Sequence, residues 1–298
     1  MEMIEVEAFI AIVEHRGFTR AAAAIHLSQP AISRRIELLE RELGTALFER
    51  THGGARLTDA GATFLPYARQ TLAAARDGKE AVAALEHADV GVVTLALVGT
   101  LADTRLTARL ERYRIAHPCV RLLLTTGRSH EVRAMVLHGT AHLGLRYGED
   151  AHPDLVCVPV HEERMVIAAS PRLGPQGAGP FAPEMLAGLP WVAFPRSKGS
   201  DEDPYTRLFA RQLHAAGLDD AETIIIDSLT AQKRLIEAGF GIGALPISSI
   251  EEERRLGTLR ILDVPALATA LPIVRIHRRT GYLSHAARAL SASLAEAW

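Results

Sequence analysis

Between Gly17 and Glu40 the sequence writes two short helices with a tight break between them, and no other stretch restricts the fold as much. Ala21-Ala22 give the first helix a surface small enough for another helix to approach, and Thr19 stands where its cap is expected. Ser28 takes the N-cap of the second, with Pro30 in its first turn, where a missing N–H costs nothing. Ile32, Ile36 and Leu39 recur at i, i+4 and i+7 and predict a buried stripe. Gln29, Ser33, Arg34 and Arg35 are left on the exposed faces. An apolar back with a Gln/Ser/Arg front suits the major groove of DNA. Gln can pair bidentately with adenine and Arg with guanine, while serine hydroxyls, Ser28 included, reach phosphates.

Beyond this helix, two extended pieces flank His52-Gly53-Gly54, which is good hairpin-turn chemistry. Arg50 and Arg56 flank its tip, as in a wing lying against the DNA backbone or minor groove. From Thr58-Asp59, a plausible N-cap, some thirty residues rich in Ala, Leu, Arg and Glu follow, interrupted only by Pro66 and Gly78. Leu65 and Leu72 are seven apart, as are Ala68, Ala75 and Val82, which makes a seam fit for a close helix–helix contact. That helix either packs on its own domain or pairs with a second copy of the chain, and its length and position favour the second reading.

Charge supports the division of labour only locally. The chain carries a net −2, but His15–Thr58 holds seven arginines against four glutamates, enough for a phosphate-facing stripe. No apolar run approaches the ~18 residues of a membrane span. The acidic start Met1-Glu2-Met3-Ile4-Glu5 does not read as a signal peptide, so a cytoplasmic location is expected. Cys119 and Cys157 have no CxxC or CxxH spacing; both read as small buried hydrophobes, and no structural zinc is expected.

From Gly91 onward strands and helices alternate, as in an α/β domain with largely parallel sheets. Val92–Val98, Val120–Thr125 and Leu143–Arg146 read as strands, as do Val156–Val160, Met165–Ala169, Trp191–Phe194, Thr223–Ile226 and Gly243–Leu245. An enzyme fused to the helical domain is the rival reading. However, GxSxG, HExxH and P-loop signatures are missing from the sequence, and Gly239–Gly243 leads from a helix into a strand, the reverse of a dinucleotide-binding turn. His138 and His142 flank Gly139 without an evident third ligand. No catalytic residue, metal or cofactor is expected.

The matching elements, in order, are Ala21-Ala22, Ser28–Ser33, Leu39-Glu40, Leu43-Gly44, Leu47–Arg50 and Leu57–Gly61. Together they closely resemble the N-terminal domain of the LysR-type transcriptional regulators. His117–Val120 and Ala238–Pro246 extend the likeness more loosely, while His142 departs from it, standing where the family usually has Asp. The resemblance implies a winged helix-turn-helix over 1–58, a linker and dimerisation helix over 59–89, and an effector-binding domain over 90–298. The last is expected to resemble periplasmic binding proteins, with one α/β subdomain from 90–161 and 266–298 and a second from 162–265.

Ligands of such a fold sit in the cleft between subdomains, where strands end and helices begin. Thr100, Arg128, Ser129, Arg146, Ser197 and Ser228 fall at such places, and arginines there (Arg196 among them) suggest an anionic effector, a carboxylate. The implied partners are double-stranded DNA with a palindromic operator, that small molecule, RNA polymerase, and a second copy of the chain in a dimer or tetramer. A ligand-binding protein fused to a helix-turn-helix remains the alternative beside the enzyme.

Overall fold

A computed structural model describes residues 1–51, 54–86, 90–102, 104–177, 179–195, 204–218 and 221–296. The chain divides into two compact units, Met1–His87 with Leu137–Thr140 and Thr280–Ser284, and Ala88–Val136 with Ala141–Arg279 and His285–Trp298.

The first unit contains α1 (Met3–His15), α2 (Phe18–Ala24), α3 (Gln29–Leu43), a hairpin of β1 (Phe48–Thr51) and β2 (Gly54–Leu57), and the long α4 (Asp59–Glu86). Aromatic rings from four of these elements meet at its centre. Phe9 lies 5.2 Å from both Phe48 and Phe64, and Phe18 lies 5.7 Å from Phe48. Each such pair adds about 0.5–1.5 kcal/mol beyond the area it buries. Ala21, Ala22, Ile32, Ile36 and Leu39 close the core, as their spacing predicts. Ser28 caps α3, its hydroxyl accepting the Ala31 N–H at 3.3 Å. Thr19 is not the cap of α2. Arg16, in the left-handed region at φ 53°, ends α1, and the chain re-enters a helix at Phe18 from the N-cap Gly17, so Thr19 falls two residues too late and is exposed.

The junction between wing and long helix explains Leu57–Gly61. The Thr58 hydroxyl donates to the Ala46 carbonyl at 2.7 Å and accepts the Gly61 N–H at 3.0 Å, capping α4. A Cβ on Gly61 would stand 2.2 Å from the Leu47 carbonyl oxygen, so only glycine fits. The predicted turn at His52-Gly53 lies outside the described residues.

The expected seam on α4 is divided between two tasks. Leu65, Ala68 and Leu72, together with Phe64, pack into the core of their own unit. The apolar stripe left exposed or half-exposed is instead Tyr67, Thr71, Ala74, Gly78, Ala81 and Leu85, alternately four and three residues apart, with Val82 beside it. Of the remaining seam residues expected from the sequence, Ala75 is half-buried and Val82 exposed, while the first turns are committed to the winged domain.

The second unit is mixed rather than largely parallel. β3 (Gly91–Val98) runs parallel to β4 (Val120–Gly127) and β5 (Leu143–Tyr147), and β7 (Trp191–Ala193) parallel to β8 (Thr223–Ile225). β11 (Thr269–Arg278) lies antiparallel between β5 and β6 (Leu155–Ala169). β9 (Gly243–Pro246) and β10 (Arg260–Leu262) add antiparallel to the far end of β6. The two strands expected at Val156–Val160 and Met165–Ala169 are thus one strand, carried through the polar His161–Arg164 by its pairing with β11.

Among the described residues the α-helices of the unit are α5 (Thr104–Ala116), α6 (Ser129–Leu137), α7 (Pro204–Ala215), α8 (Leu229–Glu237), α9 (Glu251–Leu256) and α10 (His285–Ala295). The glycine run after α8 is a packing device: a Cβ on Gly241 would meet the Pro190 carbonyl oxygen at 2.5 Å. His142 uses its Nδ1 to accept the Thr94 N–H at 2.9 Å, tying β5 to β3. Cys119 is exposed rather than buried, because it follows Pro118 in the turn before β4, while Cys157 is half-buried and burial raises its thiol pKa.

Candidate functional site

Two regions gather the chemistry. On α3, the buried stripe leaves Pro30 and Arg34 at the middle of the outward face, on a helix of 3.6 residues per turn. Gln29 and Ser33 share one flank and are joined by a hydrogen bond of 3.2 Å. Arg35 falls on the opposite flank and is half-buried. Ser28 is exposed at the head of the helix.

Behind it, Glu40 fixes the wing. Its carboxylate accepts the N–H groups of Leu47 at 2.6 Å and Phe48 at 3.2 Å. In the hairpin, Arg50 stands opposite Ala55 and Glu49 opposite Arg56. The Arg50 side chain lies outside the described residues. Arg56 donates from Nε and Nη2 to Glu49 at 3.1 and 2.5 Å, and this hydrogen-bonded pairing raises its pKa further above the usual arginine value.

The second region is a cavity of about 400 Å³ in the second unit. One wall is the ends of β3, β4 and β5, through Val98–Thr100, Thr126–Arg128, Glu131 and Tyr147. The other presents Met165, Phe194, Pro195, Thr206, Asp227, Leu229 and Pro246. An adjoining cavity of about 510 Å³ shares Gly99, Thr100 and Leu229 and is walled by Lys233, Ser248 and Glu251–Glu253, among others. The Lys233 ammonium meets the Glu253 carboxylate there at 2.6 Å.

The family model for the LysR helix-turn-helix matches residues 4–62, and the LysR substrate-binding domain model matches 86–298. The chain belongs to the LysR family of transcriptional regulators. It is 29% identical over 297 residues to the regulator CfxR of Cupriavidus necator, covering 98% of this chain and 90% of that one. It is 30% identical over 295 residues to TfdS of Cupriavidus pinatubonensis, covering 97% and 98%. In fold it is similar to full-length CbnR in complex with its target DNA, with a TM-score of 0.66, 24% identity and 99% of each chain covered. These relatives are named as regulators, and the chain is one too: a DNA-binding protein modulated by an effector, not an enzyme. Among the described residues no helix is long and apolar enough to cross a membrane.

Of the cleft residues expected in this LysR-type regulator, Thr100 and Arg128 stand on the cavity wall. Thr100 donates to the Tyr147 hydroxyl at 3.1 Å. Arg146 does not reach it. It is buried and ion-paired with Asp150, because alternate residues of a strand face opposite ways and Tyr147 takes the cavity side. Ser129 is buried at the start of α6, away from the wall. Ser228 spends its hydroxyl capping α8, accepting the Ala231 N–H at 3.3 Å, while its neighbours Asp227 and Leu229 line the cavity. Ser197 and Arg196 lie outside the described residues. Thr126 and Tyr147 lie in segments that sequence reasoning placed at the cleft, whereas Glu131 and Asp227 are charged wall residues that it missed.

Proposed function

We propose that this regulator binds a palindromic operator as a dimer, in the cytoplasm, and that a small carboxylate-bearing effector in the 400 Å³ cavity sets its activity and its contact with RNA polymerase. The observation that carries the DNA reading is the outward face of α3: Gln29, Ser33 and Arg34 stand clear of the core on a helix whose far side is fully packed. Gln29, Arg34 and Arg35 read base edges. Ser28, Pro30, Ser33 and Thr19 lie along the backbone, and the wing contributes Arg50 and Arg56. The dimer is built on the Tyr67–Leu85 stripe of α4, and a tetramer through effector domains is the further assembly.

For the effector, Arg128 and the hydroxyls of Thr100 and Thr126 offer a carboxylate its partners on one wall, and apolar side chains face them from the other. A ligand regulates by binding two arrangements of the lobes unequally. Fluorescence anisotropy on a labelled operator, with and without effector, tests this. Thr100→Val should weaken the effector response and leave effector-free binding nearly intact. Loss of DNA binding with an unchanged response would refute the cleft assignment.

A further inference from the structure

The charges around the cleft do not suit an effector that is only an anion. Arg128 faces the cavity together with two carboxylates, Glu131 on its own wall and Asp227 on the other. The adjoining cavity sets Lys233 against Glu251, Glu252 and Glu253, of which Glu251 is paired with Arg105 at 3.0 Å and Glu253 with Lys233 at 2.6 Å.

The place where a bound anion would gain most, the N-terminus of α6, is already filled from within. Glu131 folds back so that its Oε2 accepts the Arg128 N–H at 2.7 Å. Gly127 leaves room for it, since a Cβ there would come within 3.2 Å of that same oxygen. The helix-end N–H and its dipole are thus satisfied by the chain's own carboxylate.

Asp227 is the complementary feature. It lies on the opposite wall, just before the Ser228 cap, and no hydrogen bond or ion pair engages its carboxylate among the described residues. Asp227 itself is exposed, and Met165, Phe194 and Leu229 give the same cavity apolar surface against which a ligand's body can lie. A carboxylate on a cavity wall offers a partner to a cationic nitrogen.

We propose that the effector is amphoteric, an amino acid or close analogue with an apolar body. Its ammonium is held by Asp227, and its carboxylate lies on the Thr126 and Arg128 side. Such a ligand presents both charges from one α-carbon, the ammonium to Asp227 and the carboxylate to the Thr126 and Arg128 side, and lays its side chain against the apolar lining. The proposal rests on the effector-cleft reading above and sharpens it.

Isothermal titration of the full-length protein with matched probes tests it. Leucine and phenylalanine are each compared with the acid lacking the amine (4-methylpentanoate, 3-phenylpropanoate) and the amine lacking the acid (3-methylbutylamine, 2-phenylethylamine). At least one amino acid should bind about tenfold or more tighter than both its partners, the size expected for a charge-assisted contact. Asp227→Asn should remove that preference over the acid, while Thr126→Trp, which fills the cavity, should abolish binding of every probe. Equal affinity of acid and amino acid overturns the cationic subsite and leaves the cleft standing, provided Thr126→Trp still abolishes binding. Tight binding that survives both substitutions places the ligand elsewhere and overturns both readings. No binding of any probe at millimolar concentration overturns the amphoteric class.

Discussion

Glu40 holds Leu47: its carboxylate, on the last turns of α3, accepts the N–H at 2.6 Å and that of Phe48 at 3.2 Å. The first strand of the wing is therefore positioned by α3 and not by the hairpin alone. Glu40→Ala leaves both N–H groups without a partner, and Leu47 and Phe48 are buried. Urea denaturation should show a loss of about 1–3 kcal/mol. Operator affinity should fall with it, because the wing loses its anchor.

Gly61→Ala tests the junction from the other side. The added Cβ would stand 2.2 Å from a backbone oxygen that cannot move without the wing. A cost of about 3 kcal/mol is expected. The thermal transition of the isolated 1–86 segment, or poor soluble yield of the full chain, reads it; an unchanged melting temperature would show that the junction is looser than described.

The Glu49–Arg56 pair makes a prediction of opposite sign to the usual one. Arg56 is exposed, and its charge is partly answered by Glu49 at 2.5 Å. Glu49→Gln should free it, tightening binding to operator and random DNA alike and steepening the dependence on salt by up to about one unit of log–log slope. Arg34→Ala should instead cost about 1–3 kcal/mol, concentrated at one operator position. Anisotropy titrations at several salt concentrations separate the two behaviours.

Dimerisation should follow the exposed stripe of α4 and not the stripe buried against the winged domain. Ala74→Glu with Ala81→Glu places like charges on the Tyr67–Leu85 face and should yield monomers at micromolar concentration in sedimentation equilibrium. Leu72→Ala, by contrast, alters the domain's own core. It should lower the melting temperature and leave the association state as it was.

The sequence is most legible where information is local. The Ser28 cap, the Ile32/Ile36/Leu39 stripe and the Thr58–Gly61 turn all follow from spacing within a few residues, and the structure has them. Cleft segments are legible too, since they end predicted strands. Which side chain turns inward is not. A strand alternates faces, so a one-residue uncertainty exchanges Tyr147 for Arg146, and a cap exchanges Asp227 for Ser228. Partners brought together by a change of direction in the chain stay unread even when they are near in sequence: spacing does not say that Asp150, four residues after Arg146, will bury with it, nor that two wing N–H groups await Glu40. The last strand is obscured by Pro272, a residue that argues against a paired strand, yet β11 is bonded on both sides around it.

The continuity of β6 has a mechanical meaning. From Leu155 to Met165 it is bonded to β11, and from there to Ala169 to β9 and β10, so the polypeptide passes from one set of partners to the other inside a ribbon and not through slack chain. A ribbon of paired strands resists shear and yields mainly by twisting, as a leaf spring does. On the proposed effector reading, a molecule that draws the cavity walls together works against that stiffness. Effector discrimination then depends on reach as much as on chemistry: a ligand too short to touch both walls leaves the spring at rest.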